Sequence, residues 1–586
     1  MMHSSRFSSQ PLIRLMRLCL ICLSCALFWM LAPMAHAQDT PAANRYTTGA
    51  TYLQVDVVAT DRDAQTATLD VRWDASWRDD ENGDAAWIVL KGRPAGASDT
   101  APRMDAPLVP LSIRGTPEPV ANASSDGAEA AFDVPADRAG VFVYRAARGE
   151  GDNQWQIRVP WTAEADIDVA DIQAFGVEMV YVATGAFEAG TTRSLRDRKA
   201  ARGDDWVRFT PPAPLSALFE ADPDGEDSYG GPYRVTSEAP IAIGPDTGNL
   251  YYLDATFLRD DFTSGDQTGT LAADFPKGYA GFFQMKYEVT EQQYAAFLNG
   301  LSAEQARRRA APDSLTQQLP NARYSITTRN GRFQTAHPHR AASYLSWEDG
   351  LAWADWMGLR PMTELEFEKS ARGPKPARFR EFVWGATEQQ DGGFALDKRI
   401  LASDGSLAAS EDGDERVDGT IHIFMRPDEG VDNLCTPGGD NYHPWYPACR
   451  SLSGGEAGWG ALRVGIHGVD SGGSRVQAGA GYYGAMDLGG NLGEQVVTLG
   501  HPQGRAFRGT HGDGRLSPDG TATNADWYAD ADTLFYARRG AGWTSHPNHA
   551  RTADRFSGLS NTGRFRSYAG GFRAVRTRRS SAGNGS

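Results

Sequence analysis

The stretch YYGAMDLGGNLGEQV, residues 482–496, sets Asp487, Asn491 and Glu494 on a glycine-rich backbone. That backbone is too rich in glycine for an ordinary helix and too regular for a random loop. Two carboxylates and an amide are oxygen donors. On spacing alone, though, the stretch reads as a glycine-rich turn whose acids face solvent. Histidines form a second group. His546 and His549 lie in GWTSHPNHA, and His511 lies in GTHGDGR. Two or three imidazoles could bind iron, copper or zinc. Against this, His-Pro-Asn-His matches no recognised ligand spacing, and histidines are common in surface loops. Glu364, Glu366 and Glu368 are dense enough for acid/base chemistry. The favoured reading places them at a helix N-terminus, where the macrodipole stabilises acids. The chain has no Gly-x-Ser-x-Gly elbow, no His-Glu-x-x-His pair and no phosphate loop.

The elements that must position these groups change character along the chain. From Thr51 the pattern has period two. YLQVDVVAT, ATLDVRWDASW, AAWIVLKGR, GVFVYRA and WQIRVPW read as strands, with turn signals such as DDENGD and ARGEGDN between them. Residues 46–172 are therefore expected to form an all-β, sandwich-like domain. The sequon at Asn122 is too short a motif to carry weight. A second unit opens at Val177. Its first helix is announced by a capping box, Thr290 and Gln293, with Tyr294, Phe297, Leu298 and Leu301 on one face. A second helix starts near Ser346 and Asp349 and ends at Gly358, and a third opens with Thr363 and Glu366. Trp347, Trp353 and Trp356 are spaced to pin a core. Beyond Gly373 the chain reads as loops and short strands, which need disulfides, metals or aromatic anchors to hold them.

Composition sets outer limits. Arg6, Arg14 and Arg17, the apolar run from Leu18 to Leu31 and Ala35-His36-Ala37 together predict a signal peptide over residues 1–37. The run is too short for a stable membrane span, and no later stretch is apolar enough for one. The chain carries 58 basic and 74 acidic residues. Without the three signal arginines, 55 stand against 74, a net charge of about −19. This balance excludes nucleic acid and argues against anionic membrane as a partner. Of five cysteines, Cys435 and Cys449 remain after the signal, and in an oxidising compartment a disulfide is the natural reading. Closing that loop contributes about 3 kcal/mol in the chain-entropy model. Residues 579–586 are expected to be a disordered tail.

Six blocks occur in order: EMVYVATGAF, MKYEVTEQQYAAFL, SWEDGLAWADWMGLRPMTELEFEKSARG, YYGAMDLGGNLGEQV, RRGAGW and GGFRAVR. Residues 177–578 resemble the sulfatase-modifying-factor family, the formylglycine-generating enzyme domain. The resemblance implies a C-type-lectin-like α+β fold with little regular secondary structure, beside the separate N-terminal β domain. It also implies a structural calcium ion. By position Asp487 and Glu494 would give it carboxylates, and Gly490 and Leu492 backbone carbonyls, in keeping with calcium's demand for oxygen. Asn491 is then left to hydrogen-bond the loop internally. Gly493 and Gln495 stand where the family often has an aromatic pair.

The family's oxidase chemistry does not carry over. Copper-dependent members use two active-site cysteines, because thiolates hold soft Cu(I). Ser545 and Ala550 fall at those positions. The expectation is an exported protein, periplasmic, outer-surface or secreted. It would lack formylglycine-generating activity, contain neither copper nor iron, and act as a binding or assembly scaffold for a protein or glycan partner at the envelope. The competing expectation is a metal-dependent oxidase with a non-cysteine site at His511, His546 and His549. A third is carbohydrate binding, since the fold is lectin-like and tryptophans are plentiful.

Overall fold

The β-strand named β3 here (Asp84–Pro94) is buried along nearly its whole length, and that explains much of the architecture. Strands with one wet face alternate; strands covered on both faces read as continuous apolar runs. In the computed structural model, Ala86, Ile88 and Leu90 on β3 face one core and Trp87 and Val89 face another. The structure describes residues 42–96, 107–164, 167–191, 232–244, 246, 248–252, 268–316, 323–378, 381–387, 400–401, 416–417, 460–469, 472–528, 536–542, 550–555 and 564–578.

The first core belongs to the N-terminal strands. β1 (Gln54–Asp61), β2 (Thr66–Arg78), β7 (Val141–Arg145) and β8 (Gly149–Thr162) lie where the period-two segments predicted them, and the region is β-rich as expected. β4 (Val109–Ile113), β5 (Glu118–Asn122) and β6 (Ala130–Asp133) were not legible. β5 is exposed throughout and β6 is half-buried throughout, so neither alternates. β2 pairs with β8 so that Leu69 meets Ile157 and Val71 meets Trp155. Trp73 packs edge-on against Trp155, ring centroids 5.4 Å apart.

β9 (Val169–Val182) carries this sheet into the rest of the molecule. It pairs antiparallel with β3 from Val169 to Val180, and its last residues also pair with β10 (Phe282–Met285). The sequence boundary between 172 and 177 thus falls inside one strand. With β11 (Arg360–Pro361) and β15 (Ala574–Thr577), the strand order is β1-β2-β8-β4-β3-β9-β10-β15-β11. All described residues fall in one compact unit. Side chains lock the two halves. Trp87 Nε1 donates to the Met357 carbonyl at 2.8 Å, and Lys91 Nζ donates to the Gly514 carbonyl at 3.0 Å.

On the second face of β3 lie α1 (Glu291–Asn299), α2 (Ala303–Arg309), α3 (Trp347–Trp356) and α4 (Glu364–Arg372). The capping boxes expected at Thr290 and Thr363 form, and Ser346 with Asp349 and Ser302 with Gln305 add two more, for α3 and α2. Gly358 takes φ 65° just past α3, the left-handed turn that ends a helix. Trp347, Trp353 and Trp356 are buried core anchors. Later segments contribute short strands: β12 (Gly493–Val497) between β13 (Tyr536–Arg539) and β14 (Gly570–Gly571). Among the described residues no helix is long and apolar enough to cross a membrane.

Candidate functional site

The 482–496 stretch is an interior loop. Asp487 and Asn491 adopt φ 56° and 50°, the left-handed region that short polar side chains tolerate best after glycine. Asp487, Asn491 and Glu494 are buried, so the acids do not face solvent as spacing alone suggested. Asp487 Oδ2 accepts the Gly465 N–H at 2.5 Å. Asn491 Oδ1 accepts the Leu462 N–H at 2.8 Å, and its Nδ2 donates to Glu288 Oε2 at 2.6 Å. The asparagine is spent inside the protein, but on Leu462 and Glu288 outside the loop rather than within the loop as expected.

Glu494 meets a cation of the protein's own. Its Oε1 accepts from Arg573 Nε at 2.9 Å and lies 2.8 Å from Nη2 in the ion pair. Arg573 also donates to the carbonyls of Met285, Lys286 and Met486 at 2.7–2.8 Å. Each of its three nitrogens therefore donates at least one hydrogen bond. Glu288 completes the arrangement, accepting the Leu492 N–H at 3.0 Å. Sequence reading passed over Glu288. It lies within MKYEVTEQQYAAFL, but nothing in that block links it to a loop two hundred residues away.

Three buried carboxylates thus surround one guanidinium, with Arg463 acting on Asp487 from another side. Burial is the largest influence on each. It lifts Asp487 to about 6. It lifts Glu288 well above the usual carboxylate range, with Asp487 and Glu494 adding repulsion. Glu494 is raised too, against the pull of Arg573. Its Oε2 is buried with no hydrogen-bond partner. An oxygen-only, acid-rich donor set suits calcium, and Glu494 Oε2 could meet such an ion. The fit is incomplete, since Glu494 Oε1 and Asp487 Oδ2 are already engaged. Among the described residues no three His, Cys, Asp or Glu side chains are grouped to hold a metal. A calcium ion here would rest on Asp487 and Glu494 with the carbonyls of Gly490 and Leu492.

The other predicted groups stand elsewhere. Ala550 is wholly buried among Phe382, Val383, Trp384 and Leu488. Its carbonyl accepts the Val383 N–H at 3.2 Å. A Cβ on Gly489 would lie 3.3 Å from the Ala550 methyl. His511 Nε2 accepts the Thr577 N–H at 3.0 Å, which places that ring's proton on Nδ1. Ser545, His546, His549, Cys435 and Cys449, with residues 1–37 and 579–586, lie outside the described residues.

The three α4 glutamates do more than favour a helix start. Glu366 serves in the capping box and pairs with Arg360 Nη1 at 2.8 Å. Glu364 binds Arg539 Nη1 at 3.0 Å. Glu368 binds Arg539 Nη2 at 2.9 Å and Arg555 Nη2 at 2.5 Å. Burial pushes Glu368 upward, but Arg555, Arg539, Arg372 and the Gly190 N–H outweigh it and hold the carboxyl at about 2. Glu364 and Glu368 thus tie Arg539, inside the RRGAGW block, and Arg555 to α4, on either side of Ala550.

The family model described as the sulfatase-modifying factor enzyme 1-like domain matches residues 257–426. That segment holds β10 and α1 to α4; the 482–496 loop and Ala550 lie beyond it. No curated protein matches the chain. Residues 257–426 accordingly mark this chain as the carrier of a sulfatase-modifying-factor domain.

Proposed function

We propose that this is an exported protein whose sulfatase-modifying-factor region no longer oxidises cysteine and instead serves binding or assembly at the cell envelope. In this reading residues 177–578 form a C-type-lectin-like unit. A Cys435–Cys449 disulfide and a structural calcium at Asp487 and Glu494 stabilise it. The compartment is the periplasm, the outer surface or the medium. The observation that carries the reading is Ala550. It stands at the position of a family copper thiolate, has no ligand atom, and is enclosed by an apolar cluster. Soft Cu(I) has nothing to bind on a methyl group.

The test is elemental analysis of the mature protein purified without added metal or chelator. Oxygen uptake with a cysteine-containing peptide and Cu(I) is measured alongside. Calcium at one or two per chain, a melting temperature that falls on chelation, and no thiol oxidation are expected. Stoichiometric copper or iron, lost in a His546→Ala/His549→Ala variant together with peptide oxidation, would replace this reading with the oxidase one.

A further inference from the structure

A cleft of about 680 Å³ opens where the N-terminal strands meet the sulfatase-modifying-factor region. Its walls are the start of β1, the middle of β9, residues 285–290, the first turns of α1 and the 338–339 turn. The volume lies within the range of small-molecule sites. Ala550 is not among its lining residues. We propose that this cleft binds a neutral, hydroxyl-rich ligand of the saccharide class.

Fixed aromatic rings come first. Tyr52 stacks on His339, centroids 4.1 Å apart and planes 17° from parallel. Tyr287 meets the same Tyr52 edge-on at 5.6 Å. The Tyr52 hydroxyl donates to the Val464 carbonyl at 2.7 Å and accepts from Arg463 at 3.1 Å, so the ring cannot swing away. Phe175 is held edge-on against Trp356 at 4.6 Å. Such rings offer apolar surface at little cost in side-chain entropy.

Three of the charged groups facing the cleft, Glu178, Glu288 and Arg72, already have partners inside the protein. Glu178 Oε1 accepts from Lys286 Nζ at 2.6 Å. Glu288 has both oxygens engaged, by Asn491 and by the Leu492 N–H. Arg72 Nε donates to Gln54 Oε1 at 2.7 Å. Asp56 stands at the exposed rim. An organic cation would have to compete with Lys286, whose ammonium already sits 5.3 Å from the Tyr287 ring centroid. An anion would meet three carboxylates. A ligand with no net charge meets neither obstacle.

Polar groups remain to grip it. Gln292 is exposed on the first turn of α1. Gln293 uses Oε1 for the Thr290 N–H at 3.0 Å, which leaves its amide N–H groups as donors. Gln54 likewise keeps its amide donors. Carboxylate oxygens of Glu178 and Asp56 accept. Hydroxyl groups both donate and accept, so a saccharide can use both kinds of partner while its C–H face lies on Tyr52 or Phe175.

The experiment is titration calorimetry on the full mature protein. The probes are glucose, N-acetylglucosamine, maltose, cellobiose and lactose, with tetramethylammonium chloride as the cationic control. At least one saccharide is expected to bind. Gln292→Ala, an exposed change, should weaken it about fivefold, the effect of one neutral hydrogen bond. Gln54→Ala/Gln292→Ala should weaken it by more than about tenfold with the melting temperature unchanged. The proposal is overturned if no sugar binds, if both variants bind as wild type does, or if tetramethylammonium binds and the sugars do not. Discovery of oxidase activity would sink the proposed function and leave this result untouched.

Discussion

Arg573 shows how much a single residue can hold. It bridges Glu494, β10 and the 482–496 loop through four donated hydrogen bonds and an ion pair. Breaking a buried pair by removing one partner strands the other charge, at a cost of about 3–5 kcal/mol. Arg573→Met should lower the unfolding free energy by that order in a urea titration. Arg573→Met/Glu494→Leu should recover part of the loss, because the stranded charge is gone while three carbonyls remain unpaired. Glu368 gives a prediction in pH. Its folded-state pKa of about 2 lies below the ordinary 4.5, so the folded protein binds fewer protons than the unfolded chain between those values. Its stabilisation is complete above about 4.5 and is lost as pH falls towards 2. Glu368→Gln should cost on the order of 3 kcal/mol at pH 7, and its deficit against wild type should close across that acid window. A pH-independent deficit would contradict this. Neither residue's role was legible in sequence. Glu364 and Glu368 are conspicuous in TELEFEK, but Arg539 and Arg555 lie 171 to 187 positions away and Arg573 lies 79 positions from Glu494, and periodicity carries no information over such distances.

The elements themselves were easier to read where local chemistry decides them. A capping box is a four-residue signal, and Thr290 and Thr363 each close one as expected, while the helix start placed near Ser346 closes one too. β2 and β8 alternate because one face is dry, whereas β5 has no dry face and left no trace. Gly350 in the middle of α3 separates the local signal from the tertiary one. Helix propensity alone predicts that Gly350→Ala stabilises by about 1 kcal/mol. The structure reverses the sign, because an added Cβ would stand 2.2 Å from Cδ2 of the buried Phe572 ring. Overpacking of this kind costs about 1–3 kcal/mol. A thermal melt of Gly350→Ala should therefore show a fall, and a rise would mean that Phe572 can step aside.

At the scale of the whole molecule, β9 makes the N-terminal strands and the sulfatase-modifying-factor region parts of one sheet. The pattern in residues 46–172 suggested an independent domain because its strands alternate and its turns are regular. What that pattern could not show is that β3 is covered on both faces, by its own neighbours and by α3. A fragment ending at Ile172 would cut β9 after four residues. The β9 partners of β3 from Asp84 to Lys91 would be lost, and the Trp87 and Val89 face would lie open. The loss is large against the 5–15 kcal/mol by which domains are stable. Residues 42–172 expressed alone should therefore show no cooperative unfolding transition. The mature chain should melt with the N-terminal and C-terminal tryptophans reporting the same midpoint. A fragment that unfolds cooperatively with native near-ultraviolet dichroism would show instead that β3 and its neighbours suffice, and that β9 joins two bodies able to fold apart. The saccharide cleft discriminates further. Its two walls come from opposite sides of this division, so ligand binding should raise the single midpoint of the mature chain and leave either fragment unmoved.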